Sequence, residues 1–182
     1  TTFLVPGQID PTTDDKLAGE LPFGELVGVA DVGGTRFLTG LGDIDGDGDL
    51  DLLYTGTPAD FSNTLVLIYE NNDGIFTDIG GDFMDCAWYN NAVWCDVEND
   101  GDLDVLYIGD DGSEYPFVVY TNNGGNFEMV NTGLTGVRTS NGNIGILTGD
   151  IDNDGDMDVV NTGDDPIYTK KTKIFINEGD SW

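Results

Sequence analysis

The chain has 182 residues, enough for one domain or part of one, and carries 35 acidic against 6 basic residues for a formal net charge of −29. That charge excludes electrostatic binding to nucleic acid or to an anionic membrane surface. Histidine is absent, which removes imidazole-based triads and general bases, while 38% hydrophobic and 10% aromatic residues set the chain apart from disordered acidic sequences.

Residues 1–22 are rich in Pro, Gly, Thr and Asp and read as a linker or a degenerate part of a preceding unit. From Phe23 onward the sequence repeats. The first acidic loop is Asp43-Ile-Asp45-Gly-Asp47-Gly-Asp49-Leu-Asp51, followed by the apolar run Leu50–Gly56. Next comes Tyr69-x-Asn71-Asn-Asp-Gly-x-Phe76, an apolar strand, a turn, and an aromatic residue opening another strand. The second loop is Asp96-Val-Glu98-Asn-Asp100-Gly-Asp102-Leu-Asp104, followed by the run 103–109 and by Tyr120-x-Asn122-Asn-Gly-Gly-x-Phe127. The third is Asp150-Ile-Asp152-Asn-Asp154-Gly-Asp156-Met-Asp158, followed by 157–163 and by Phe175-x-Asn177-Glu-Gly-Asp-x-Trp182. The runs after the loops are short, β-branched and aromatic, which predicts buried strands. No amphipathic helix flanks any loop.

Five acidic side chains at alternate positions call for a cation. Two carboxylates about 4 Å apart repel by roughly 1 kcal/mol in water and about 4 kcal/mol at an effective dielectric of 20. Calcium suits them, because it accepts six to eight hard oxygen ligands in a flexible shell. In loops that open Asp-x-Asp-x-Asp-Gly, positions one, three and five supply carboxylates and position seven a main-chain carbonyl. The candidate ligands are therefore Asp43, Asp45, Asp47, Asp49 and Asp51; Asp96, Glu98, Asp100, Asp102 and Asp104; and Asp150, Asp152, Asp154, Asp156 and Asp158. Glycine at position six allows the sharp turn. Glu98 is expected to loosen or reshape its site. Position twelve holds Tyr54, Tyr107 and Asn161 instead of the bidentate Glu of an EF-hand, so the likeness to that motif stops halfway.

The loops open 53 and then 54 residues apart, a period with room for about four short strands, which is the signature of a propeller or another repeat array. With these residues in view, the chain resembles the FG-GAP or VCBS-type repeats of integrin-α-like β-propellers over about residues 23–182. The resemblance implies an all-β fold of about three four-stranded antiparallel blades, in units of approximately 23–75, 76–126 and 127–182, with about three Ca²⁺ bound in loops between strands. Three units are fewer than a closed ring needs. The expectation is a segment of a larger propeller, and the alternative is a short chain that completes a ring as a homo-oligomer. The family serves in adhesion receptors, lectins and modules of secreted enzymes. The resemblance therefore implies an extracellular location and either a module that binds a protein or carbohydrate partner or a spacer between neighbouring domains.

Catalytic signals are few. Cys86 and Cys95, the only cysteines, lack metal-ligand or redox spacing, and no phosphate-binding Lys follows Gly33-Gly34 or Gly124-Gly125. An enzyme is not expected within this segment, nor is membrane insertion, since no apolar run approaches spanning length. If Asn90-Asn91 forms a hairpin turn, Cys86 and Cys95 face each other across it at disulfide distance. If residues 86–95 form one straight strand, the two Cα atoms lie roughly 30 Å apart. Both readings stand at this point. Phe61, Trp88, Tyr89, Trp94 and Tyr115 are candidates for aromatic contact with a partner, with repeat core as the competing role.

Overall fold

A computed structural model describes residues 35–57, 65–80, 83, 88–110, 115–137, 145–164 and 169–179. Eleven strands and no helix occur among them. The first sheet contains β1 (Thr35–Gly42), β2 (Asp51–Thr57), β3 (Leu65–Asn72) and β4 (Ile75–Asp78). The second contains β5 (Trp88–Cys95), β6 (Asp104–Asp110), β7 (Pro116–Asn123) and β8 (Asn126–Thr135). The third contains β9 (Gly145–Gly149), β10 (Asp158–Asp164) and β11 (Lys170–Phe175). Every sheet is an antiparallel meander in chain order, so the chain forms blade-like units that are not closed into a ring. Trp182, the aromatic that the repeat places at the next strand, lies outside the described residues, as do Phe23 and the segment 1–22.

Strand alternation gives the middle sheet two buried faces. Val105 and Tyr107 of β6, with Val118 and Tyr120 of β7, pack on Leu53, Val66 and Ile68 of the first sheet and on Ile44 of its β1–β2 loop. The intervening residues Leu106, Ile108, Phe117 and Val119 turn the other way, onto Ile146 and Val159 of the third. Successive residues of a strand point to opposite faces, so a continuous apolar run is what a sheet covered on both sides requires. At roughly 1.5–3 kcal/mol for each large side chain buried, these two interfaces hold the units together. Strand β5 lies beside β1 and β2 on one side and β9 on the other, so the leading strands of the three sheets are neighbours.

Close approach at the first junction depends on glycine. The Trp94 indole lies over β1, where a Cβ on Gly40 would come within 2.8 Å of its Cδ1 and one on Gly42 within 2.5 Å of Leu103. Phe127 and Phe83 extend the aromatic cluster, with Phe83 edge-on to Tyr120 at 4.7 Å between ring centroids. Phe76 and Phe127 stand in β4 and β8, the fourth strands of their sheets. A sequence unit counted from aromatic to aromatic therefore takes the last strand of one sheet and the leading strands of the next.

Asn90-Asn91 falls inside β5, where the pairing with β6 shifts register between Trp88 and Asn91. It is a bulge within a continuous strand and not a hairpin turn. Cys95 carries a free thiol. Burial, reinforced by the charges of Asp104 and Asp96, pushes that thiol up to about 12, so it stays protonated and inert. Cys86 lies outside the described residues.

Candidate functional site

Each acidic loop joins the first and second strands of its sheet: 43–50 between β1 and β2, 96–103 between β5 and β6, and 150–157 between β9 and β10. The backbone turns left-handed at position six, with φ of 95° at Gly48, 97° at Gly101 and 100° at Gly155. It does so again at position four, where Gly46, Asn99 and Asn153 have φ of 77°, 56° and 65°. Glycine and asparagine are the residues that tolerate this region at least cost, which explains why position four alternates between only those two types.

Position one caps the loop. Asp43 accepts hydrogen bonds from the amides of Gly46 and Gly48 at 2.8 and 3.1 Å, and Asp96 and Asp150 do the same work in their loops. Position five accepts from the amide of position seven: Asp47 from Asp49, Asp100 from Asp102 and Asp154 from Asp156. The Asp49 side chain itself accepts the Asp73 amide of the β3–β4 turn at 2.7 Å, which engages that carboxylate with the hairpin next to the loop.

Position nine is the pivot. Asp51, Asp104 and Asp158 are the most buried acidic residues described, at 0–1% exposure. Each spans two segments with its two oxygens. Asp51 accepts from Ile44 N at 2.8 Å and Asn71 N at 2.7 Å. Asp104 accepts from Val97 N at 2.7 Å and Asn122 N at 2.8 Å. Asp158 accepts from Ile151 N at 2.7 Å and Asn177 N at 2.8 Å. Two amide donors per carboxylate offset part of the cost of taking it out of water. Burial nevertheless raises the Asp51 carboxyl above its ordinary value, and neighbouring Asp45 and Asp47 add to the shift against the two amides. A cation placed among these groups would reverse that repulsion.

The loops differ in how they gather their carboxylates. Oxygens of Asp43, Asp45 and Asp51 lie within 4.8 Å of one another, as do those of Asp150, Asp152 and Asp158. Positions one, three and nine thus converge in the first and third loops, the spacing and donor chemistry that a hard cation requires. Asp47, Asp49, Asp154 and Asp156 lie outside these two convergent sets. The second loop departs where its sequence departs. Burial and the charge of the adjoining Glu98 push the Asp104 carboxyl up to about 7.

The asparagine of the Tyr/Phe-x-Asn signature does more than form a turn. Its side-chain oxygen does accept a turn amide, from Gly74, Gly125 or Gly179. Its main-chain N–H binds position nine of its own sheet's loop, as described above. Its side-chain NH₂ donates to position eight of its own sheet's loop in two copies, Asn71 to Leu50 O and Asn122 to Leu103 O; Asn122 donates in addition to Ile44 O, and Asn177 donates to Val97 O, each of these in the preceding loop. The signal for this role was present in the sequence as an Asn fixed in three copies two residues beyond an aromatic. A residue type so common in turns conceals a second use.

The chain matches the FG-GAP-like repeat family twice, over residues 43–107 and 96–160, each match running from one acidic loop into the strand beyond the next. The protein belongs to this family of repeats. A comparison with curated proteins returns no match.

Proposed function

We propose that this chain is a calcium-binding segment of an extracellular β-propeller that acts as a binding module for protein or carbohydrate partners and carries no catalytic activity. The observation that carries the calcium reading is the convergence of positions one, three and nine in the loops of Asp43 and Asp150. FG-GAP repeats commonly bind calcium, and all-oxygen carboxylate clusters on left-handed loop turns match that ion's preferences. Asp47, Asp100 and Asp154, with the main-chain carbonyls of Asp49, Asp102 and Asp156, would complete the shells. Bound there, calcium would neutralise carboxylates that otherwise repel and fix the loops against the strands they join. Extracellular modules of this kind bind calcium at about 10⁻⁴ to 10⁻³ M, a range that suits calcium levels outside the cell. Even three Ca²⁺ would leave a net charge of about −23 from the formal −29, so a partner surface of basic or neutral polar character fits best.

A second reading, a structural spacer without a ligand of its own, is favoured by one observation. Among the aromatic candidates, Tyr115 is buried and Trp94 is committed to the junction with β1, which leaves neither as a contact platform. Phe61 and the side chains of Trp88 and Tyr89 lie outside the described residues. Calorimetric titration with calcium and with magnesium tests the ion; absence of calcium-specific heat would overturn it. A glycan array and a pull-down from extracellular matrix, each in calcium and in chelator, separate module from spacer. Calcium-dependent capture that competes with soluble ligand supports the module, and no capture in either condition supports the spacer.

A further inference from the structure

The ties from Asn122 and Asn177 join the three loops into one hydrogen-bonded series. Asp51 accepts from Ile44 N; Ile44 O accepts from Asn122 Nδ2 at 3.2 Å; and Asn122 N donates to Asp104. Asp104 in turn accepts from Val97 N; Val97 O accepts from Asn177 Nδ2 at 3.1 Å; and Asn177 N donates to Asp158. Each link passes through a residue at position two whose apolar side chain is buried, Ile44 at 3% and Val97 at 8% exposure, so the main chain there cannot shift without disturbing the core. Asn122 and Asn177 are themselves buried. We propose that this relay couples the loops, so that filling one cation site raises the affinity of its neighbour. The inference rests on the calcium reading above. Asn122 and Asn177 are positioning residues: they touch no cation and act through the position-nine carboxylates.

The physical basis is shared ordering. A cation that engages Asp158 fixes that carboxylate, and with it the Asn177 main chain and the donor that holds Val97. The second loop then begins its own binding with position two already placed, so less ordering remains to oppose it. The two junctions are not equivalent. Asn99 Nδ2 also donates to Asp156 Oδ1 at 2.5 Å, a second link between the second and third loops. The corresponding position in the first loop is Gly46, which has no side chain to make such a contact. Coupling between the second and third loops is therefore the stronger.

The test is calorimetric calcium titration of a double-mutant cycle. The third loop is disabled by Asp150→Asn with Asp152→Asn, and its tie is cut by Asn177→Asp, which keeps the oxygen that accepts Gly179 N and removes the donor to Val97 O. Disabling the third loop in the wild-type background is expected to weaken binding at the second by about fivefold, the low end of allosteric couplings. In the Asn177→Asp background the same change is expected to affect the second loop less, the remainder passing through Asn99 and Asp156. Asn71→Asp is the charge control: its side-chain donor serves its own sheet, so the dependence of the second loop on the third should survive it. If Asn177→Asp does not fold, as judged by circular dichroism, the loop knockout in an Asn99→Gly background, where the tie from Asn177 to Val97 O remains and the Asn99 link is gone, still decides. Calcium heats with a second loop indifferent to loss of the third would overturn the relay, and so would coupling that persists undiminished in Asn177→Asp. No calcium heat in any variant would instead overturn the calcium reading.

Discussion

The two junctions between sheets use the same repeat positions with different chemistry. Facing the first sheet, the second presents Val105, Tyr107, Val118 and Tyr120, all apolar or aromatic and all buried. The matching positions on the third sheet, facing the second, are Val159, Asn161, Lys173 and Phe175. Two of the four have become polar. The third sheet offsets this with hydrogen bonds: Asn161 accepts from Val137 N at 2.5 Å and donates to Gly145 O at 3.0 Å, and Lys173 Nζ donates to Thr135 O at 2.5 Å. Phe175 still stacks on Phe117 with centroids 5.1 Å apart. The first junction is held chiefly by area removed from water, the second by a smaller apolar contact laced with directional bonds. Burial is tolerant of small displacements and directional bonds are not. The second junction should therefore depend more on its loops being ordered.

Calcium removal is the strongest way to sharpen that contrast. A ligand at 100-fold excess over its dissociation constant stabilises the native state by about 2.7 kcal/mol per independent site. Chelation is expected to lower the melting temperature markedly, more at low salt, where repulsion among loop carboxylates is least screened. Hydrogen exchange should then show β9 and β10 losing protection before β2 and β3. Simultaneous loss across all three sheets would mean that the junctions are equally strong.

Within the first junction the largest single contribution is expected from Trp94. Trp94→Ala removes the indole that lies over Gly40 and Gly42 and should cost about 3–5 kcal/mol in urea unfolding. Gly42→Val at the same contact, where an added Cβ meets Leu103, should cost about 1–3 kcal/mol by overpacking. A smaller loss from Trp94→Ala than from Phe175→Ala would reverse the ranking of the two junctions.

At the second junction Asn161→Leu brings in an apolar side chain but leaves the Val137 amide and the Gly145 carbonyl without their partner. Such orphaned buried groups cost about 1–3 kcal/mol each. The expected outcome is destabilisation by about 2 kcal/mol despite the gain in hydrophobicity, measured by the same denaturant curves. A neutral or stabilising result would show that this junction, too, is governed by burial alone.

Much of this arrangement was legible in the sequence, for a reason that lies in the repeats. An acidic loop, a β-branched run and an Asn-Gly turn each carry a local backbone preference, and three copies in register separate those preferences from coincidence. The strands after Asp51, Asp104 and Asp158 and the hairpin turns at 73–74 and 124–125 follow from such preferences. Contacts between units do not follow from them. Asn122 looks like Asn71 in sequence, yet its side chain reaches 78 positions back to Ile44, a distance no local pattern encodes. The path of residues 86–95 was undecided for a related reason: Asn90-Asn91 suits a turn, but pairing with β6 absorbs it as a bulge. Lys173 was equally silent, since an exposed lysine in a strand reads as a solvated residue until its acceptor is known.

Lys173 gives the smallest and most discriminating effect. Lys173→Met keeps a long unbranched stem over the Phe175 ring, whose centroid lies 5.9 Å from Nζ, and removes the charge and its bond to Thr135 O. Because the side chain is exposed, water can replace part of what is lost, and the cost should stay near 0.5–1 kcal/mol. The chain has only 6 basic residues, so removing one also deepens the acidic imbalance, an effect that salt would screen. The hydrogen bond would not be screened in the same way. Comparing the variant at low and high ionic strength therefore separates the two causes: a loss that vanishes in salt assigns Lys173 to general charge balance. A loss that persists assigns it to the bond with β8, and so to the directional character of the second junction.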